Sequence, residues 1–253
     1  MSSMRPVQSV STAELYERWA KVYDTDGNIL QAIDDVQLPA LLESAFAPFQ
    51  ATNPAAVLEL GCGTGRNTVK LLSPPYASQI SKVTAVDLSA SMLAVAQSRC
   101  RDRSQGPSRT PAVEFSQYDA LHPTALPGFQ PVDLILSTLV LEHLPLATFF
   151  AAVKSLLKPG GTLVITNMHS EMGARSQAGF VDPESGEKIR GLSFAHEIEQ
   201  VLDFSKSLGF LPVGDVVERG IEEKDLGDGV VGERGRKWVG ISVWFGLVLR
   251  LED

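Results

Sequence analysis

A strand that runs into a glycine loop and then into a helix constrains this chain more than any other feature. Residues 57–68 read Val-Leu-Glu-Leu-Gly-Cys-Gly-Thr-Gly-Arg-Asn-Thr, so apolar residues precede three glycines spaced two positions apart. Glycine permits sharp turns and the close approach of a ligand, and the free amides at the start of a helix offer hydrogen-bond donors. The stretch therefore predicts a nucleotide-type binding loop at the end of a strand.

The spacing of the glycines narrows the class of ligand. A dinucleotide fingerprint needs G-x-G-x-x-G, which would place its third glycine at position 66, but that residue is Arg66. The chain also lacks the G-x-x-x-x-G-K-[ST] pattern of a phosphate-binding P-loop. Both of these common uses of a glycine loop are therefore excluded.

Apolar runs alternate with amphipathic segments on both sides of this loop. The strand-like runs are Ala56–Leu60, Lys82–Val86, Ala112–Ser116, Val132–Ser137 and Thr162–Thr166. The helix-like segments between them include Thr64–Leu72, Ala90–Cys100 and Leu146–Leu157. Such alternation predicts an α/β fold, with a parallel sheet that is covered on both faces.

The segment Glu59-Leu60-Gly61-Cys62-Gly63-Thr64-Gly65 resembles the first motif, E/D-x-G-x-G-x-G, of the class I S-adenosylmethionine-dependent methyltransferases. The resemblance is strong over residues 55–170 and extends over 195–251 by pattern. It implies S-adenosyl-L-methionine as the cofactor and S-adenosyl-L-homocysteine as the product. It also implies a Rossmann-like, seven-stranded mixed sheet of order 3-2-1-4-5-7-6, with the last strand antiparallel, helices on both faces and an N-terminal helical cap.

On this basis we expect a single domain spanning residues 1–253. Its parts are a helical cap (1–50), a cofactor-binding core (55–170), a lid insertion (170–194), and a C-terminal helix with an antiparallel strand pair (195–253). The finer predictions are helices over 12–22, Ile29–Phe46 and Ala195–Leu208, strands over Phe210–Glu218 and Ile241–Leu251, and an exposed loop over Arg219–Lys237. A further solvated loop is expected over 99–111, which carries Arg99, Arg101, Arg103 and Arg109.

The resemblance also assigns cofactor-binding roles. It implies that Asp87 accepts the ribose hydroxyls, that Leu88 and Met92 lie against the adenine, and that Asp119 accepts from the adenine amino group. Tyr16 and Tyr23 match aromatic positions that fold over the cofactor. The full expected set is Tyr16, Tyr23, Glu59, Gly61, Cys62, Gly63, Thr64, Asp87, Leu88, Met92, Asp119, Ala120, Ser137 and Leu139.

Two of these assignments have a structural alternative. Met92 is equally well explained as a core methionine. The helix that carries Tyr16 is also explained as an amphipathic helix facing the core, and Trp19 fits that interpretation best.

Three histidines are candidates for the base that deprotonates a methyl acceptor, because histidine changes charge near neutral pH. His143 follows the fourth strand, next to Glu142; His169 follows the fifth strand; and His196 lies in the segment where the resemblance places a substrate lid. The fourth histidine, His122, precedes a proline in a loop and is predicted to lie at the surface.

We therefore predict a metal-independent methyltransferase that acts on an O, N or S atom of a small, fairly apolar metabolite. No N/D-P-P-Y sequence follows the fourth strand, which argues against methylation of adenine or of glutamine amides. The alternatives are a protein methyltransferase and a non-methylating member of the fold that binds the cofactor.

Composition limits the partners and the setting. The formal net charge is −8, from 22 basic and 30 acidic residues, which argues against broad binding to nucleic acid or to anionic membranes. Two cysteines and an N-terminus without an apolar run predict a cytoplasmic protein.

Overall fold

A central sheet with helices on both faces forms the framework of the protein. The computed structural model describes residues 6–101, 110–123, 126 and 128–253. Its helices are α1 (Thr12–Trp19), α2 (Ile29–Phe46), α3 (Arg66–Leu71), α4 (Ala90–Arg101), α5 (Leu146–Leu156), α6 (Ser170–Gly173), α7 (Ile198–Ser207) and α8 (Glu223–Gly227). Its strands are β1 (Val7–Ser9), β2 (Ala55–Leu60), β3 (Ile80–Asp87), β4 (Ala112–Gln117), β5 (Val132–Thr138), β6 (Leu157–Met168), β7 (Gly179–Val181), β8 (Lys188–Arg190), β9 (Phe210–Pro212), β10 (Val217–Gly220) and β11 (Ser242–Leu251).

The order of the strands in the central sheet confirms the predicted fold class. The order is β10-β11-β6-β5-β2-β3-β4. Strands β2 to β6 pair in parallel, whereas β11 is antiparallel to both β6 and β10. The strands of this sheet can be numbered along the chain from β2, with β9 and β10 together as the sixth strand. They then have the predicted order 3-2-1-4-5-7-6.

The predicted sixth strand, Phe210–Glu218, is divided in two, so the sheet has eight strands rather than seven within the part of the chain that the structure describes. Strands β9 and β10 both pair with β11, at different positions along it. Between them Gly214 has φ +77°, a left-handed conformation that turns the chain out of an extended strand. The sequence prediction missed this turn.

Both faces of the sheet are buried because successive side chains of a strand point to opposite faces. Val57 packs in a cluster with Leu38 and Phe46 of α2, whereas the next residue, Leu58, packs in a cluster with Phe149 of α5. The carboxyl ends of the parallel strands consequently meet at one edge, where open α/β sheets bind their ligands.

A second, three-stranded sheet was not predicted. Strand β1 pairs in parallel with β8, which pairs antiparallel with β7, so the N-terminal cap and the lid insertion form one layer. The Trp19 ring of α1 stacks on Phe180 of β7, with 5.4 Å between the ring centroids. Strands of three residues are too short to show the alternation by which strands are recognised in a sequence.

The predicted loop over Arg219–Lys237 is largely structured, which corrects the expectation. It contains α8, whose first turn has a capping box formed by Glu222 and Asp225, and a 3₁₀ turn over Glu233–Trp238. Val231 and Trp238 are buried in the same cluster as Ile221, which draws the segment onto the core. The charged residues that made the segment look solvated lie on its outer side or in ion pairs, such as Arg219 with Asp225.

Two smaller outcomes concern the ends of elements. Helix α7 begins at Ile198, with Glu197 as its cap, so His196 precedes the helix rather than opening it. Arg99 and Arg101 belong to the last turn of α4, whereas Arg103 and Arg109 lie outside the described residues.

Within the described residues, no helix is both long enough and apolar enough to span a bilayer.

Candidate active site

The glycine loop connects β2 to α3 through backbone conformations that other residues strongly disfavour. Gly61 has φ +74°, and a Cβ atom there would lie 2.2 Å from Cγ2 of Val140. Gly65 has φ +79°, and a Cβ atom there would lie 3.0 Å from the Cα atom of Ala96 in α4. The amides of Gly61 and Cys62 both donate to the carbonyl oxygen of Val86, which holds the loop against the end of β3.

Asp87 at the end of β3 is fixed by backbone amides. Its Oδ2 accepts from the amide of Gly63 at 2.7 Å, and its Oδ1 accepts from the amide of Ser89 at 2.9 Å. Burial raises the pKa of Asp87 to about 6, and the amide hydrogen bonds limit this rise. Each carboxylate oxygen has a second lone pair, so Asp87 can accept two further hydrogen bonds from a ligand.

A cavity opens between this loop and the carboxyl ends of β3, β4 and β5; we call it the glycine-loop cavity. The predicted residues that line it are Tyr16, Tyr23, Gly61, Gly63, Asp87, Leu88, Asp119, Ala120, Leu139 and His143. The residues that the sequence analysis missed are Thr12, Leu60, Tyr118, Leu121, Thr138, Val140 and Leu144. Most of these directly adjoin predicted residues, so extending each motif by a few positions would have found them.

Three other predicted residues lie behind or beside the loop, outside the lining of the cavity. Glu59 is buried and accepts a hydrogen bond from the hydroxyl of Thr68, and burial raises its pKa to about 8. The hydroxyl of Thr64 donates to Oδ1 of Asp24 at 2.8 Å. The Cys62 thiol is buried, and burial raises its pKa well above the ordinary value. Their positions suit residues that shape the loop.

Met92 and Ser137 also lie outside the lining. Met92 packs in a buried cluster with Leu15 and Trp19 of α1, the core position that the sequence analysis left open as its alternative. Ser137 is buried in β5, and its hydroxyl has no hydrogen-bond partner among the described residues.

Asp119 lines the far side of the glycine-loop cavity. Its Oδ1 accepts from the amide of Leu121 at 2.8 Å, and its Oδ2 lies 2.9 Å from Nδ1 of His122. Partial burial raises the pKa of Asp119, but the hydrogen bonds from His122 and Leu121 outweigh it, and the net pKa is lowered. The residue is therefore an ionised hydrogen-bond acceptor at neutral pH.

A second and larger cavity of about 470 Å³ lies beneath the N-terminal cap, and we call it the aromatic cavity. Its apolar lining includes Trp19, Phe180, Trp238, Met168 and Met172. The predicted lid insertion contributes Met172 and Phe180 to this lining, whereas its last residue, Phe194, stacks on the His196 ring, with 5.6 Å between centroids.

The two cavities meet at Tyr16, Tyr23 and Leu139, which line both of them. Leu139 has φ +58°, a conformation that non-glycine residues rarely adopt and that often marks a functional site. The hydroxyl of Tyr16 lies 2.7 Å from Nε2 of His143. Burial raises the pKa of both tyrosines, so their hydroxyls are protonated at neutral pH.

Of the three candidate histidines, His143 alone lines one of the two cavities defined above. His169 caps helix α6, where its Nδ1 accepts from the amide of Glu171, and its Nε2 lies 3.1 Å from Glu218. The Nε2 of His196 donates to the carbonyl oxygen of Leu144 at 2.9 Å. Neither ring lines the aromatic cavity or the glycine-loop cavity, and a role of either histidine toward an acceptor stays a prediction. His122 is exposed, as predicted.

The aromatic cavity also contains residues that the sequence analysis did not connect with the site. They include Trp238, Arg234 and Lys237 from the 3₁₀ turn, and Asp26 from the cap. Arg234 donates to the backbone oxygen of Asp26, and Oδ2 of Asp26 accepts from Nε1 of Trp19 at 2.8 Å. No local signal marks the 3₁₀ turn as part of a site, because more than 200 residues separate it from the cap.

A family described as a methyltransferase domain matches residues 57–161, the stretch from β2 into β6. An uncharacterized methyltransferase of Emericella nidulans is 42% identical over 267 residues, covering 95% of this chain and 91% of that protein. The chain belongs to the class I S-adenosylmethionine-dependent methyltransferases. The predictions of the family, of the enzyme class and of S-adenosylmethionine as cofactor are thereby confirmed.

Two further relatives of this methyltransferase are informative. A ubiquinone biosynthesis O-methyltransferase of Xanthomonas campestris pv. campestris is 32% identical over 163 residues, which span 62% of this chain and 59% of that protein. The structure described as a DhpI–SAM–HEP complex has a TM-score of 0.61, with 21% identity and 94% of each chain covered. The latter likeness supports the fold.

Proposed function

We propose that this methyltransferase transfers the methyl group of S-adenosylmethionine to a small, fairly apolar metabolite held in the aromatic cavity. The observation that carries the proposal is that Tyr16, Tyr23 and Leu139 line both cavities. A cofactor in the glycine-loop cavity and an acceptor in the aromatic cavity would meet at these three residues. Contact between the two reactants is the main requirement of methyl transfer, because orientation supplies much of the rate enhancement.

The glycine-loop cavity fits the cofactor. Gly63 has φ +54°, and a Cβ atom there would have only the ring of Tyr23 nearby, at 4.0 Å, which leaves space above the loop. In this proposal Asp87 accepts from the ribose hydroxyls and Asp119 from the adenine amino group, while Leu88 and Ala120 supply apolar contacts. When bound, S-adenosylmethionine supplies an activated methyl group on a sulfonium. Tyr16 and Tyr23 exclude water from the place where the cavities meet.

The hydrogen-bond partners of His143 support a proton relay through Tyr16. Nδ1 of His143 lies 3.3 Å from the carbonyl oxygen of Leu192, which can only accept, so Nδ1 carries the proton in the neutral ring. Nε2 is then the acceptor of the Tyr16 hydroxyl hydrogen bond. An acceptor hydroxyl can pass its proton to Oη of Tyr16 as Tyr16 passes its own proton to Nε2 of His143.

Glu142 stabilises the charge that this transfer creates. Its Oε1 lies 3.8 Å from Nε2 of His143, and its Oε2 accepts from the amide of Met168 at 3.0 Å. A fixed carboxylate close to an imidazole that becomes protonated stabilises its positive charge by electrostatic attraction. Because the relay removes a proton from the acceptor, it favours a hydroxyl or an amine as the methyl acceptor. The name of the ubiquinone biosynthesis O-methyltransferase relative supports an oxygen atom as the site of methylation.

The proposal is tested with labelled S-adenosylmethionine. Purified enzyme is incubated separately with protein-free metabolites and with dialysed proteins from the source cells. Label in small molecules is the expected result, whereas label only in protein would show that the enzyme is a protein methyltransferase. Calorimetry with S-adenosylhomocysteine accompanies the assay: binding without any methylated product would point to a non-methylating member of the fold.

A further inference from the structure

The charges that line the aromatic cavity are segregated along its depth. Leu139, Glu142 and Met168 form its closed end, where each residue is at least 93% buried. Three cations also line the cavity: half-buried Lys188 of β8, Arg234, whose side chain is 54% exposed, and Lys237, which is exposed. The two exposed cations, Arg234 and Lys237, lie at the mouth.

Each of the two carboxylates in the lining accepts a hydrogen bond within the protein, while the buried Oδ1 of Asp26 has no partner among the described residues. Glu142 accepts from the amide of Met168 and faces His143, at the closed end. Asp26 accepts from Trp19, and its Oδ2 lies 3.7 Å from Arg234, which it neutralises in part.

The Lys237 ammonium lies against an aromatic ring rather than against a carboxylate. Its Nζ lies over the Trp238 ring, 4.9 Å from the centroid, and among the described residues no carboxylate lies within ion-pair distance of it. A cationic mouth is notable on a chain whose formal net charge is −8. A guanidinium and an ammonium at one rim of an apolar cavity form a binding site for a carboxylate or a phosphate.

We infer that the methyl acceptor is an acid: an apolar or aromatic molecule whose anionic group is held at the mouth by Lys237 and Arg234 while its methyl-accepting atom lies at the closed end. This inference rests on the proposed function, because it specifies the acceptor of the same cavity. The shared chemistry of carboxylate and phosphate leaves two sources for the anion. The arrangement orients the acceptor, since its charged end cannot enter the apolar part of the cavity without losing hydration.

Fractionation of the metabolites tests the charge of the acceptor. A protein-free extract of the source cells is separated on a strong anion exchanger, and each fraction is assayed with enzyme and labelled S-adenosylmethionine. We expect acceptor activity in the retained, anionic fraction, and phosphatase treatment of that fraction then distinguishes a phosphate from a carboxylate. Activity in the unretained fraction alone would overturn the inference but leave the proposed function intact. Absence of activity in every fraction, with S-adenosylhomocysteine still binding, would overturn both.

Substitutions at the mouth test whether Lys237 and Arg234 bind the anionic group of the acceptor. With the anionic acceptor, Lys237→Gln and the double variant with Arg234→Gln should raise KM roughly tenfold or more, while kcat changes less than about threefold. Arg236→Gln is the matched control, because Arg236 pairs with Glu233 on the same turn and does not line the cavity. Calorimetry of the acceptor with the enzyme bound to S-adenosylhomocysteine should show the same loss of affinity without turnover. Equal KM values for Lys237→Gln and Arg236→Gln, with unchanged melting temperatures, would refute the role of the mouth.

Discussion

The hydroxyl of Tyr16 lies 2.7 Å from Nε2 of His143, although 127 positions separate the two residues along the chain. Tyr16 belongs to α1 of the N-terminal cap, and His143 belongs to the turn that follows β5. The rings also meet edge to face, with 5.2 Å between their centroids. The cap therefore contributes directly to the part of the site where the two cavities meet, and it does so through a group that can carry a proton.

Tyr16→Phe and His143→Gln should each lower kcat by ~100-fold or more, because each removes one member of the proposed relay. Affinity for S-adenosylhomocysteine should change only a few-fold, since the ring of Tyr16 and the volume of His143 are largely preserved. Tyr76→Phe is the control: that hydroxyl donates to the carbonyl oxygen of Pro39 and lines neither cavity. Near-normal turnover of both site variants would refute the relay.

The affinity for S-adenosylhomocysteine should depend on pH through Asp87. Its folded pKa of about 6 lies above the ordinary value of 3.8, so the carboxyl becomes protonated as the pH falls through about 6 and then loses acceptor capacity for the ribose. Calorimetry should show an affinity that is constant above about pH 7 and falls by up to tenfold for each pH unit below about 6.

Asp87→Asn provides the comparison for that pH profile. It should bind S-adenosylhomocysteine roughly tenfold more weakly at neutral pH and show little further change on acidification. Asp203→Asn, on the exposed side of α7, should follow the wild-type profile. A wild-type affinity that stays constant down to about pH 5 would contradict the assignment of Asp87 to the ribose.

Glu59→Gln should stabilise the protein without cofactor at alkaline pH. The folded pKa of Glu59 is about 8 against an ordinary value of 4.5, so its contribution to stability is fully present below about 4.5 and is lost as the pH rises to about 8. Glutamine keeps an acceptor for the Thr68 hydroxyl and never ionises. Its melting temperature should exceed that of the wild type by about 5 °C at pH 9 and match it near pH 5. Glu199→Gln, an exposed change on α7, should leave the wild-type pH profile unaltered.

Glu17 attaches the cap to the cofactor half of the molecule. Its Oε1 accepts from the amide of Ala90 at 2.6 Å, and its Oε2 accepts from the amide of Ser91 at 3.2 Å, at the start of α4. The hydrogen bonding with Ser91 is the main reason that the pKa of Glu17 is lowered. A carboxylate at a helix N-terminus stabilises it by about 1 kcal/mol.

Glu17→Ala should therefore loosen the cap. We expect faster tryptic cleavage after Arg18 and Lys21, and an affinity for S-adenosylhomocysteine that is roughly fivefold weaker, because Tyr16 covers the glycine-loop cavity from the same helix. Glu14→Ala is the matched control on α1, since Glu14 forms only an exposed pair with Arg18. Equal cleavage rates for the two variants would show that the contact with α4 does not hold the cap in place.

Local patterns predicted the cofactor half well. The predicted bounds of α4 differ from the structure by one residue, and outside this half those of α2 in the cap agree at both ends. Gly61, Gly63 and Asp87 line the expected cavity, since each follows a strand whose apolar run is unmistakable and whose carboxyl end faces the same edge of the sheet. The roles of these residues toward the cofactor stay predictions.

The sequence by itself determined the glycine loop and, through it, the family, because that motif consists of residues within a few positions of one another. The order of the strands followed only from the family resemblance. Only the tertiary structure decided which histidine reaches a cavity and which residues line the aromatic cavity. His143, His169 and His196 occupy similar places in the sequence pattern, and their ring nitrogens are distinguished by partners from distant segments: Tyr16, Glu218 and Leu144. Likewise, Lys237 becomes part of the mouth only because burial of Trp238 draws a charged, glycine-rich segment onto the core, a packing effect that no local pattern records.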